Sequence, residues 1–181
     1  RVNGRYFAET LSFGLDAAIA LDTMDRRQKS GRAGTMLYLE SAVDQLFHHL
    51  QVFSFKMDVL GAEPGCAPHP EWDDAYLVAV QVGPTYGGHF RITPKARLDD
   101  GLLDICWATP ELSPMRALAL LLRARGGKHT GSDHIHFRRA SSLVLDFEEE
   151  PPAQMDGEPV RGTHFVIDCV HDALTVVVGQ R

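Results

Sequence analysis

From residue 52 to the end, glycine, proline and acidic turns cut the chain into short stretches of β-type residues, and only one of the gaps between them carries a helix pattern. A sheet assembled from such stretches must be mainly antiparallel, because each parallel pair needs a crossover of roughly a dozen residues or more. Residues 52–60 set Phe53, Phe55, Met57 and Val59 against Ser54, Lys56 and Asp58, the period of two that marks a half-buried strand. Residues 75–82 are nearly all apolar, as a central strand would be, and 90–93, 102–108, 134–147, 153–160, 164–169 and 173–178 supply further strands. Residues 61–74 carry three prolines and two glycines and read as a surface loop joining two antiparallel strands.

The first 50 residues are less uniform. Residues 6–19 mix aromatic and apolar residues around Gly14 and read as one or two strands bent at that glycine, followed by a polar loop over 22–34. In 35–50, Met36, Leu39, Val43, Leu46 and Phe47 recur at three- and four-residue spacing, which predicts a helix. Ser113 followed by Pro114 is a cap and first-turn pair, so 115–125 forms a second helix, stopped by Gly126 and Gly127. The expected fold is therefore mainly β: a two-sheet antiparallel β-sandwich with two α-helices, built as one domain over 1–181. At 181 residues and 44% hydrophobic, the chain can bury one substantial core.

Composition narrows the partners. Lys+Arg number 18 and Asp+Glu 24, so the formal net charge of −6 exerts no long-range pull on nucleic acid or on an anionic membrane, and any membrane contact must be local. Cys66, Cys106 and Cys169 stand far apart and are odd in number, which suggests neither a disulfide framework nor a zinc site. No apolar run approaches the roughly 20 residues needed to span a bilayer, and the first residues lack a signal-peptide order, so a soluble, cytoplasmic chain is expected. It starts at Arg1 without a methionine, directly before a strand-like stretch, and reads as a fragment or processed product.

Two acidic turns carry what chemistry there is. Asp99 and Asp100 precede Gly101 between two strands, which fits a plain hairpin turn with solvated aspartates. It fits equally a hard-cation site in which one carboxylate joins main-chain carbonyls. At 154–158, Asp156 and Glu158 flank Gly157, and on an extended chain their side chains would share a face. Two carboxylates held close separate in proton affinity, which readies one as a proton acceptor, although a bland hairpin tip has the same sequence. His134 and His136, with His129 nearby, lack a third ligand at suitable spacing for zinc. Leu118, Leu121 and Leu122 form a stripe that could touch a lipid, yet such stripes usually face a core. No phosphate-cradling loop of the GxxxxGK[ST] or GxGxxG type occurs, so nothing here would hold ATP phosphates unaided.

Taken in order, FGLDA (13–17), VGPTYGGHFRITPKARLDDGLLDI (82–105), GKH (127–129) and QMDGE (154–158) resemble the lipid kinase superfamily of diacylglycerol, sphingosine and ceramide kinases, most of all its bacterial branch. The resemblance implies the C-terminal domain of the NAD kinase/diacylglycerol kinase-like fold, the acceptor side of an ATP-dependent lipid kinase. An N-terminal domain with a GGDGT-type loop would bind ATP and meet this domain across the active-site cleft. The resemblance places Mg²⁺ on the main-chain carbonyls of Arg97 and Leu102 and the carboxylate of Asp100, and makes Asp156 and Glu158 the catalytic carboxylates, Glu158 being the usual proton acceptor. It implies a lipid substrate, a peripheral membrane surface, the protein's own nucleotide-binding domain as partner, no nucleic acid, and a homodimer as one arrangement. It also implies that residues 1–181 alone do not phosphorylate lipid. A non-catalytic lipid-binding module and a NAD kinase-like enzyme are the alternatives.

Overall fold

The computed structural model describes residues 1–62, 69–87 and 90–175. Along the chain these form β1 (Thr10–Gly14), α1 (Leu15–Ser30), α2 (Thr35–His48), β2 (Phe53–Ala62), β3 (His69–Ala75), β4 (Leu77–Gln81), β5 (Leu103–Ala108), α3 (Pro114–Ala124), β6 (Ile135–Phe147), β7 (Ala153–Met155), β8 (Glu158–Val160) and β9 (His164–Asp168). The mainly-β antiparallel architecture expected from sequence is observed, with three helices among the described residues where two were expected.

The strands follow one hydrogen-bonded path, β3-β2-β6-β5-β4-β1-β7-β8, with β9 added beside β6. The long β6 joins the two halves. Its residues 135–140 pair with β5, while 140–147 pair with β2 and 142–146 with β9. The path closes on itself as two facing layers: Phe13 of β1 stands 4.9 Å from Phe147 of β6 and 4.7 Å from Phe165 of β9, ring centre to ring centre. Alternate residues of each strand fill the space between, among them Leu11, Phe55, Val80, Ile105 and Leu143. Each large side chain buried there contributes roughly 1.5–3 kcal/mol. The opposite faces of β1, β4 and β5 are covered by helices, so all of β1 and β5 is buried, and β5 reads as an unbroken apolar run apart from Asp104.

Several local expectations change. Residues 15–19 are the start of α1, not a continued strand, and most of the expected polar loop over 22–34 is its second half. Gly14 makes the break: its φ is 74°, and a Cβ there would meet the Tyr76 carbonyl oxygen at 2.4 Å, so only glycine lets β1 turn into the helix at this point. The polar half of α1 is held by ion pairs one turn apart, Asp22 with Arg26 and Asp25 with Lys29, both at 2.6 Å. β3 begins within the expected loop of 61–74, whose residues 63–68 lie outside the described ones. The expected strand at 90–93 shrinks to one bridge between Tyr86 and Phe90. The single strand expected at 153–160 is a hairpin, β7 and β8. Residues 173–175 are not strand, and 176–178 of the same expectation lie outside the described residues. The second helix starts as expected, with Ser113 accepting from the Arg116 amide at 3.4 Å.

Candidate functional site

The QMDGE segment turns in two residues. Met155 pairs with Glu158, and Asp156 and Gly157 have φ of 48° and 91°, the doubly left-handed pattern of a tight hairpin that aspartate and glycine adopt readily. The chain is therefore not extended here, and the shared face expected for Asp156 and Glu158 does not form in the way foreseen. The Asp156 carboxylate folds back onto the segment that enters β1. It accepts from the amides of Ala8 at 2.6 Å, Glu9 at 2.9 Å and Thr10 at 2.8 Å. Its own amide donates to the Thr10 carbonyl at 2.9 Å. Asp156 thus clamps the hairpin to β1. Glu158 opens β8, is exposed, and makes no side-chain hydrogen bond or ion pair among the described residues. Glu9 stands beside this corner; burial, and then the Asp156 charge, push its carboxyl up from the ordinary value.

The Asp99-Asp100-Gly101 turn is built differently. Arg97 pairs with Asp99 at 3.1 Å, which holds the Asp99 carboxyl below its usual range. Asp100 accepts from the Leu102 amide at 3.1 Å through one oxygen and pairs with Arg139 of β6 through the other. Arg139 also reaches Asp104 at 3.4 Å, so one guanidinium sits between two carboxylates. Among the described residues there is no group of three or more His, Cys, Asp or Glu side chains that could hold a metal ion. A cation at this turn would rest on one carboxylate and on carbonyl oxygens. The Asp100 carboxylate has about four lone-pair sites and uses two, so it keeps oxygen lone pairs that fit such a cation.

A third feature escaped the sequence reading. Between the outer face of β4 and β5 and the three helices lies an apolar cavity of about 70 Å³, lined by Asp16, Tyr86, Cys106, Leu120, Leu121 and His129 among others. Asp16, the aspartate of FGLDA, is in the first turn of α1, where the helix dipole favours a negative charge. The Tyr86 hydroxyl donates to one of its oxygens, while the other has no partner. Burial lifts its carboxyl to about 6, with the Ser12 hydroxyl pulling the other way. His129 donates from Nε2 to the Ile92 carbonyl at 2.9 Å, its Nδ1 is unpartnered, and burial lowers its pKa. Burial pushes the Cys106 thiol well up, so it is unreactive. The motif had pointed at Asp16 without a role; its burial could not be read locally.

Cavity and hairpin are connected by a line of buried polar groups on the helix-side face of β1. Gln154 donates to Ser12 Oγ at 2.7 Å and accepts from the Gly157 amide at 2.7 Å. Gln81 donates to Thr10 Oγ1 at 2.7 Å. A methyl placed on Gly157 would stand 3.6 Å from Met24 Sδ, so α1 runs from the cavity to the hairpin. Two further histidines hold framework positions: His136 stacks on Trp107 at 5.2 Å, and His134 Nδ1 lies 3.9 Å from Glu111.

Known proteins resemble this arrangement over nearly its whole length. A family model described as the YegS C-terminal NAD kinase beta sandwich-like domain matches residues 9–178. A probable lipid kinase YegS-like protein of Xanthomonas oryzae pv. oryzae (strain MAFF 311018) is 27% identical over 168 residues, 92% of this chain and 50% of that protein. One from Alcanivorax borkumensis is 23% identical over 182 residues, 99% of this chain and 57% of that protein. The chain thus spans about half the length of the curated relatives it matches. The crystal structure of a putative diacylglycerol kinase from Bacillus anthracis str. Sterne superposes with a TM-score of 0.64 at 20% identity, over 94% of this chain and 52% of that one, and shares the fold. With the family model matched along most of its length, the chain belongs to the family of the YegS C-terminal NAD kinase beta sandwich-like domain.

Proposed function

We propose that this domain is the acceptor side of an ATP-dependent lipid kinase, which binds a hydroxyl-bearing lipid and presents its hydroxyl to ATP held by an N-terminal nucleotide-binding domain. The observation that carries this reading is the pairing of an exposed, unpartnered Glu158 on a clamped hairpin with an apolar cavity at the other end of α1. The names of the relatives, probable lipid kinases, support it.

In this reading Glu158 accepts the proton of the lipid hydroxyl as its oxygen attacks the γ-phosphorus and ADP departs. Phosphoryl transfer depends mostly on positioning and on charge neutralisation, so a well-placed base adds roughly 10²- to 10⁴-fold. Asp156 is a positioning residue: with three backbone amides on its carboxylate, it fixes the hairpin that carries Glu158. The cavity's apolar lining suits a lipid chain once it widens, and the free oxygen of Asp16 offers a polar anchor inside it. The Asp100 carboxylate and the main-chain carbonyls of Arg97 and Leu102 would hold Mg²⁺, which would supply a fixed positive charge at the turn.

The test is phosphate transfer from labelled ATP, with Mg²⁺, by the full-length protein to diacylglycerol, ceramide, a long-chain base and NAD. Labelled lipid is expected, and residues 1–181 alone are expected to yield none. Label on NAD alone would replace the reading with a NAD kinase, and lipid binding without any label would leave a non-catalytic lipid-binding module.

A further inference from the structure

The outer face of α3 is left over by both the fold and the proposed site. Its inner residues Leu120, Leu121 and Ala124 line the cavity, which accounts for one side of the stripe noted in the sequence. The other side faces solvent: Met115 is 65% exposed and Leu122 47%, and Arg116, Ala119 and Arg123 are exposed between them. Spacings of one, four, seven and eight residues from Met115 put all five on one surface of the helix.

Charge on this surface is one-signed. Residues 112–132 hold Arg116, Arg123, Arg125 and Lys128 and no acidic residue, a net of +4 inside a chain of net −6. None of the four pairs with a carboxylate among the described residues. Exposed Arg91 joins them, since its amide donates to the Ala124 carbonyl at 2.9 Å, at the end of the helix. Cations near a helix C-terminus serve the dipole, which explains Arg123 and Arg125 without any partner. It does not explain Arg116, which sits in the first turn, where positive charge opposes the dipole. Nor does it explain two large apolar side chains in water beside the cations. Apolar residues interleaved with unpaired arginines on one helix face are what an anionic lipid surface binds, by insertion of the first and attraction to the second.

We propose that the outer face of α3 is the surface by which this protein docks on an anionic bilayer, Met115 and Leu122 entering the headgroup boundary and Arg116 and Arg123 beside them meeting lipid phosphates, with Arg125 and Lys128 just past the helix end adding positive charge. The choice of a bilayer as occupant rests on the lipid-kinase reading. Docking there sets the helix that roofs the cavity against the membrane. The overall negative charge keeps the rest of the surface off the membrane, which orients the domain.

The full-length protein is mixed with vesicles of phosphatidylcholine alone, or of phosphatidylcholine and phosphatidylglycerol in equal parts, and bound protein is measured by flotation. The wild type floats with the mixed vesicles at low salt, less so as salt rises, and hardly at all with phosphatidylcholine. R116Q/R123Q/K128Q weakens this binding about a hundredfold, as expected from about fivefold per cation, and M115S/L122S roughly tenfold. Hydrogen exchange of the helix amides slows on adding mixed vesicles and is unchanged by the protein's concentration. Equal flotation of wild type and both variants overturns the proposal. So does protection of α3 without vesicles, which would mean a second copy or another domain covers it. Lipid phosphorylation in detergent micelles is read separately: both variants keep wild-type turnover there, and a wild type inactive in micelles counts against the kinase reading while the flotation result still judges the surface.

Discussion

The two acidic corners of this domain have nearly the same sequence, aspartate beside glycine between strands, and opposite electrostatic fates. At 99–101 each aspartate is matched by an arginine, Asp99 by Arg97 and Asp100 by Arg139. At 156–158 no cation among the described residues answers the charge: Asp156 is satisfied by backbone amides and Glu158 is exposed. The first corner is tied into β6 through Arg139. The second keeps a rigid frame and a carboxylate with nothing to do inside the domain, as suits a group whose partner arrives from outside. A turn motif fixes the local backbone; the role of its carboxylate is set by what distant segments bring to it.

Four changes test that contrast through stability, the largest first. The second corner is linked to the buried acid Asp16 through Ser12 and Gln154. The Asp16 carboxyl is raised from 3.8 to about 6 in the folded chain, so the folded state holds its proton more tightly than the unfolded one. Its contribution is therefore full below about pH 4 and is lost as pH rises through about 6, by up to about 3 kcal/mol. Urea unfolding across this range should show the fall, and Asp16→Asn should flatten it. Arg139→Met comes next. It removes the cation paired with Asp100 and should cost about 2–3 kcal/mol, seen as a lower urea midpoint, with Mg²⁺ restoring part of the loss if the turn binds it.

Asp156→Ala removes the acceptor of three amides and should cost about 2 kcal/mol, or roughly 4–8 °C in melting temperature, while Asp156→Asn, which tolerates the left-handed backbone, should cost less. Glu158→Ala should change stability by less than about 0.5 kcal/mol, because the side chain contacts nothing that the fold needs. A large stability loss from Glu158→Ala, or none from Asp156→Ala, would break the contrast between the two carboxylates.

Much of the framework was legible as β-type stretches cut by turn residues: β2 overlaps the alternating stretch 52–60, and β5 and β6 fall within the stretches 102–108 and 134–147. α1 was missed because its buried half is short and its remainder is polar, and the glycine at its start looked like a bend within a strand. Its helix signals were the Asp22–Arg26 and Asp25–Lys29 spacings, which stabilise a helix without any apolar periodicity. The acidic turns were visible as positions, but their partners were not. Arg139 lies 39 residues from Asp100, and the amide of Ala8 lies 148 residues from Asp156, with no local pattern linking either pair. The cavity depends on three helices meeting one sheet face, which no segment announces alone.

The most direct test of the central claim is the turnover of the full-length protein on its preferred lipid, comparing Glu158→Gln with Asp156→Asn and the wild type. Glu158 as proton acceptor predicts that Glu158→Gln loses about 10²- to 10⁴-fold in kcat with an unchanged melting temperature, and that Asp156→Asn loses less and in step with its stability. Wild-type kcat in Glu158→Gln would contradict the account.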